Sequence, residues 1–151
     1  MRLMLFAIPL ILLAFGSLEA CSQGTTEAVA PPADAPASTM LGGVDLSQPM
    51  RATGAEPSWS VAITKDAMVY TGIDRDEQRA GDPQPVVEGT TAVYTGTTND
   101  GTAMVVTLIA TECSDGMSER VYPLTAKVEL GEVSLNGCAA SQAFLDTPPP
   151  A

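Results

Sequence analysis

The sequence predicts an all-β fold, a small antiparallel β-barrel or sandwich of about six strands with one disulfide. Three observations point there. Large apolar residues alternate with small or polar ones at period two, as in Trp59-Ser60-Val61-Ala62-Ile63 and Leu124-Thr125-Ala126-Lys127-Val128-Glu129-Leu130. Turn-forming residues separate these segments: Lys65-Asp66, Asn99-Asp100-Gly101 and Gly131-Glu132. Two cysteines, Cys113 and Cys138, each follow a strand-like segment.

Taken in order, residues 1–20 place Arg2 ahead of an almost wholly apolar run from Leu3 to Phe15. A transmembrane helix needs about 20 apolar residues, so the run is short for one. It suits the apolar region of a secretory signal peptide. Leu18-Glu19-Ala20-Cys21 then resembles a bacterial lipobox. The resemblance implies that the signal is removed and that the Cys21 sulfur carries a diacylglycerol. Glu19 departs from the small or apolar residue usual at that place. Ser22 follows the cysteine, where Asp often marks retention at the inner membrane, which leans towards the outer membrane. Residues 21–50 read as the lipidated cysteine and a flexible Pro/Ala-rich tether, because 22–38 has too little apolar surface to offset its ordering entropy. Within 39–54, Met40, Leu41, Val44 and Leu46 can pack, while Gly42, Gly43 and Pro49 interrupt them.

The β domain is expected over 51–140. Its strand-like segments are 59–63, 67–71, 91–95, 103–110, 124–130 and 133–135. Segment 103–110 is the most apolar, and its β-branched density argues against a helix. Residues 72–88 are polar and contain proline, so they read as a long loop, or a loop around one irregular edge strand. Residues 141–151 end in prolines and read as a disordered tail. With Cys21 lipidated, Cys113 and Cys138 form an even pair in an oxidising compartment, and a disulfide is expected. A redox or metal role for the pair lacks CxxC spacing and any His.

Charge narrows the partners. The 151 residues carry 18 Asp and Glu against 7 Lys and Arg, a formal charge of −11, and no His. Such a chain repels phosphate backbones, so no nucleic acid is expected. The partners implied are a membrane, through the lipid, and a basic envelope protein. No cofactor and no metal are called for. Asp74, Asp76, Glu77 and Asp82 lack Ca²⁺-loop spacing and are interleaved with Arg75 and Arg79, so they read as a solvated loop. Met68 and Met104 read as core filler. Met117 falls in a turn and is too little for a soft-metal site, and Trp59 reads as a packing anchor.

Two short blocks carry a further resemblance. Glu56-Pro57-Ser58-Trp59 opens the first strand. Cys113-Ser114-Asp115-Gly116-Met117-Ser118 is followed by Tyr122-Pro123 and Gly137-Cys138-Ala139. Together they resemble a family of uncharacterised bacterial envelope lipoproteins with E-P-x-W, C-x-D-x-M-S and G-C blocks. Ser58 departs from the aromatic usual there. The resemblance implies an exported, β-rich, disulfide-linked protein and carries no activity. A weaker likeness is to periplasmic lysozyme inhibitors of the membrane-bound C-type class, with a different order of blocks.

Glu56, Asp115 and Ser118 are the polar residues of these blocks. As an enzyme site, Glu56 and Asp115 would be an acid–base pair. As structure, Asp115 bonds its own turn and Glu56 receives N–H groups of that turn or Arg120. Ser118 has no His to activate it, and the structural reading is preferred. Glu56 and Trp59 are therefore expected beside the 113–118 turn, with Trp59 near the disulfide. Loss of the Glu56 carboxylate would then cost about 1–3 kcal/mol. The function expected is a non-enzymatic, lipid-anchored binding module, with an inhibitor of a basic hydrolase such as lysozyme as the alternative.

Overall fold

Alternation writes the inner face of the sheet. In strand β4 (Trp59–Ile63), Trp59, Val61 and Ile63 are buried while Ser60 and Ala62 are only partly covered. Strand β12 (Leu124–Leu130) does the same with Leu124, Ala126, Val128 and Leu130. A computed structural model describes residues 39–149. The expected signal peptide over 1–20, Cys21, the expected tether over 22–38 and the last two residues lie outside the described residues.

The remaining elements are β1 (Met40–Leu41), β2 (Val44–Asp45), β3 (Met50–Gly54), β5 (Ala67–Gly72), β6 (Gln78–Gly81), β7 (Val86–Glu88), β8 (Thr91–Thr97), β9 (Ala103–Ile109), β10 (Cys113–Ser114), β11 (Val121–Tyr122), β13 (Val133–Ser141) and α1 (Gln142–Asp146). Nine strands make one antiparallel sheet in the order β6-β5-β4-β3-β13-β12-β9-β8-β7. The sheet curls into a half-barrel. Two separate ribbons, β1-β2 and β10-β11, accompany it.

The fold is β-rich and disulfide-linked as expected, but it has more strands than six. The predicted 72–88 loop supplies two strands, β6 and β7, and they form the opposite edges of the sheet. Strand β3 was not expected. Its register pairs Met50 with Ser141 and with Ile63, so the sheet overruns both ends of the 51–140 segment. Leu41 and Leu46 join the main core. The tail expected to be disordered carries helix α1, with Ser141 as its N-cap.

The half-barrel closes at one corner. Ala80 bridges Thr98, and the Asn99 N–H donates to the Arg79 carbonyl at 3.0 Å. Gly96 makes this approach possible, since a Cβ there would lie 2.8 Å from the Ala80 Cβ. From β6 the chain crosses through residues 82–85 to begin β7 on the other edge.

Inside the curl sits the main core of Trp59, Tyr70, Tyr94, Met50, Met68, Met104 and aliphatic neighbours. A second, smaller cluster lies apart from it. Tyr122, Cys138 and Ala140 pack there with Cys113, Phe144 and Leu145. It joins the β10-β11 ribbon and α1 to β13.

Candidate functional site

The disulfide ties Cys113 of β10 to Cys138 of β13, with Cα atoms 5.4 Å apart. Cys113 also pairs with Tyr122 across the β10-β11 ribbon. The ribbon's turn is thereby fixed to the middle of the sheet, next to β3 and the β3–β4 link.

Asp115 organises that turn. Its Oδ1 accepts from the backbone N–H of Met117 at 3.0 Å and of Ser118 at 2.9 Å. The Ser118 hydroxyl donates to both carboxylate oxygens, at 3.1 and 3.0 Å, and the Tyr122 hydroxyl donates to Oδ2 at 3.0 Å. Gly116 takes a left-handed conformation, φ 69°, that a β-carbon would oppose. The Met117 N–H, then the Ser118 N–H, hold the Asp115 carboxyl down at about 2, with the Ser118 and Tyr122 hydroxyls adding to them. Burial, then the Asp115 bond, pushes the Tyr122 hydroxyl up. At neutral pH this carboxylate is ionised and its lone pairs are occupied. The Ser118 hydroxyl donates its hydrogen bond to Asp115, and its oxygen accepts from the Arg120 backbone N–H at 3.3 Å. The Asp115 reading as its own turn-former is what the geometry displays.

Glu56 is brought to the same place but is used differently from the expectation. The Glu56–Pro57 bond is cis, and the link it belongs to forms one wall of a cleft of about 590 Å³. Glu56, Cys113, Asp115, Met117, Thr125 and Asn136 line that cleft. The Glu56 side chain is exposed and accepts no hydrogen bond from the described residues. The turn N–H groups are already taken by Asp115. Arg120 is taken as well: its guanidinium donates to the Phe144 and Thr147 carbonyls at 2.8 Å each and lies 5.3 Å from the Phe144 ring centroid. The expected Glu56 bonds are therefore corrected, while its neighbourhood is as expected.

Trp59 is buried and lies against two glycines. A Cβ on Gly54 would collide with the Trp59 Nε1, and one on Gly137 would lie 3.0 Å from the Trp59 Cζ2. Gly137 and the bridged Cys138 are successive residues of β13 and face opposite sides of the sheet. Trp59 belongs to the main core and the disulfide to the second cluster, so the expected packing of Trp59 against the disulfide is corrected.

The remaining candidates separate. Met68 and Met104 are fully buried, and Met117 is 80% exposed at the tip of the turn. Asp74 accepts from the Tyr70 hydroxyl at 2.6 Å and from Arg75 at 2.8 Å. Those two hydrogen bonds, Tyr70 first, lower its carboxyl from the usual range. Among the described residues, no group of three or more Asp, Glu, Cys or His is placed to hold a metal ion. No helix among them is long and apolar enough to cross a membrane.

Comparison with protein-family models, with curated proteins and with solved structures finds no match to this chain. The site must therefore be read from its own chemistry. The cleft wall carries two carboxylates, Glu56 and Asp115, and no basic residue. One carboxylate is fixed and the other free, beside an exposed thioether on a braced turn. The arrangement suits attraction of a cationic group better than proton transfer, because Asp115 stays ionised throughout the neutral range.

Sequence reading missed two features. The Arg120 clamp on α1 has no local signal, since its acceptors lie 24 and 27 positions away. The Tyr122–Asp115 bond follows from the antiparallel ribbon, and that ribbon is too short for its alternation to be recognised.

Proposed function

We propose that the chain is a non-enzymatic, lipid-anchored protein of the bacterial cell envelope. Cys21 holds it on the periplasmic face, at the outer membrane, and the tether sets its domain off the lipid. The domain is a binding module, and its partner is a basic envelope protein that offers a cationic side chain to the cleft beside the Cys113–Cys138 bridge.

One observation supports this reading above the others: Glu56 and Asp115 line a cleft of about 590 Å³ that holds no basic residue. With a net charge of −11, the field of the chain favours approach of a basic partner and repels an acidic one. The braced turn contributes little ordering cost on binding, because Asp115 already holds it.

The test captures partners from envelope extract with the wild-type chain and with Glu56→Lys. A partner retained by the first and lost with the second supports the reading. Equal capture by both, or capture only of acidic proteins, overturns it. Lipid labelling of wild type and Cys21→Ala checks the anchor, and membrane association that survives Cys21→Ala removes the lipoprotein reading.

A second reading, a periplasmic inhibitor of a basic hydrolase such as lysozyme, is favoured by the protruding turn. Met117 is 80% exposed at its tip and Asp115 fixes its backbone. A lysozyme assay with the chain in molar excess decides it, and undiminished lysis excludes it.

A further inference from the structure

Five methionines lie among the described residues, and exposure divides them. Met50, Met68 and Met104 belong to the main core and are at most 2% exposed. Met40 on β1 is 51% exposed, and Met117 at the tip of the β10–β11 turn is 80% exposed.

The turn holds Met117 by its backbone. The Met117 N–H donates to the Asp115 Oδ1 at 3.0 Å, and the Ser118 N–H and hydroxyl bond to the same carboxylate. The side chain stands in solvent at the lip of the cleft that Glu56 and Asp115 line. This separates two fates for a thioether that gains an oxygen. In the core, an S=O group would sit among Trp59, Tyr70 and aliphatic neighbours, where burying a polar group is costly. At Met117 the new oxygen would be hydrated, and the Asp115 brace would keep all of its bonds.

We propose that Met117 is a reversible oxidation site, which takes one oxygen from a hydroperoxide while the fold stays intact. The sulfur attacks one oxygen of hydrogen peroxide, and the S–O bond forms as the O–O bond breaks. Sulfur is oxidised by two electrons and the peroxide is reduced by two. The proton of the transferred oxygen passes to the other oxygen, which leaves as water. In the return step two thiols of a sulfoxide reductase system supply two electrons and two protons; the oxygen leaves as water and the thiols become a disulfide. The product turns an apolar lip of the cleft into a hydrated dipole beside two carboxylates. This goes beyond the partner reading and does not depend on it.

The test uses the chain from residue 21 onward with Cys21→Ala and Met40→Leu, which leaves Met50, Met68, Met104 and Met117. Hydrogen peroxide is added at neutral pH, and fragmentation of peptides in the mass spectrometer assigns each added oxygen to a residue. Met117 should gain its oxygen at least about tenfold faster than the other three, which must wait for local opening. The singly oxidised chain should keep the urea midpoint of the untreated chain. Reductases for both sulfoxide epimers, with dithiothreitol, should return the Met117 peptide to its starting mass. Similar rates at all four methionines overturn the proposal. A lowered midpoint after one oxygen overturns it too, since the oxygen would then be a lesion, and so does a sulfoxide that the reductases leave in place. Met117→Leu should delay uptake of the first oxygen about tenfold; uptake at unchanged speed overturns the assignment.

Discussion

Asp115→Asn should cost about 1 kcal/mol near pH 7, and that cost should vanish in acid. The substitution keeps the shape of the side chain and an oxygen for the Met117 and Ser118 N–H groups. It removes the charge that strengthens those bonds and puts an amide against the Ser118 and Tyr122 hydroxyls. A carboxyl held at about 2 rather than 3.8 corresponds to at most about 2.5 kcal/mol, at roughly 1.36 kcal/mol per pH unit. Asp115 is only partly covered, so solvent screening reduces that ceiling to about 1 kcal/mol. The sign follows from a pKa lowered by folding. The stabilisation is present above the unfolded value near 4 and is lost as pH falls through about 2. Urea unfolding, read by the emission of the single tryptophan, Trp59, measures it for both chains from about pH 7 to pH 2. Asp45, Asp74 and Asp100 are also lowered. They titrate alike in both chains, so the difference isolates Asp115. A gap of equal size at both ends of the range would refute an ionised Asp115 as the brace, and no gap at neutral pH would refute the brace itself.

Three other outcomes follow from the same geometry. Replacing both Cys113 and Cys138 with Ala should cost about 3.5 kcal/mol, the chain-entropy value for the 25-residue separation they close; urea midpoints measure it, and an unchanged midpoint would contradict it. Glu56→Ala should leave the unfolding free energy, read from urea unfolding, within about 0.5 kcal/mol of wild type, because the side chain is exposed and accepts no bond from the described residues; a loss above about 1 kcal/mol would mean that Glu56 is structural after all. Gly137→Ala should cost about 3 kcal/mol or more, since its Cβ would collide with the Thr53 carbonyl and press on Trp59; a soluble variant with wild-type unfolding would show that β3 and β13 separate more easily than their register implies.

Legibility in the sequence follows side-chain size. Strands β4, β5, β8, β9 and β12 were readable because large buried residues alternate with partly exposed ones. Strand β3 was not, because its inward positions are Met50, Ala52 and Gly54, only one of them large, and Gly54 lies against the Trp59 indole where a Cβ would collide. Strands β6 and β7 are edge strands of four and three residues, and β6 buries only Ala80. At the site, Asp115 was legible because Asx turns are local, and the disulfide because of compartment and parity. The place of Glu56 was legible, while its freedom was not. That freedom depends on Asp115 having already taken the turn's donors and on Arg120 having been drawn to α1. Tyr94 reads in sequence as one more inward aromatic, and nothing local reveals that its hydroxyl lacks a partner among the described residues.

A cavity of about 330 Å³ beside Leu46, Ile63, Pro83 and Pro85 has a topological cause. Strands β6 and β7 are consecutive in the chain but lie on opposite edges of a nine-stranded sheet. Among the described residues, hydrogen bonds join the two sides near Ala80, Thr98 and Asn99, where Gly96 and Ala80 are small enough to let them meet. Beyond that corner, covalent chain takes over from the ladder. The crossing contains Pro83 and Pro85, which have no N–H to donate to a ladder, and Asp82, whose φ of 50° turns the strand away. A wall made of such residues spans the gap without pairing across it, so the side chains behind it meet no opposing strand. Lengthening the β6 ladder across this gap would require replacing both prolines, which have no N–H to donate to it.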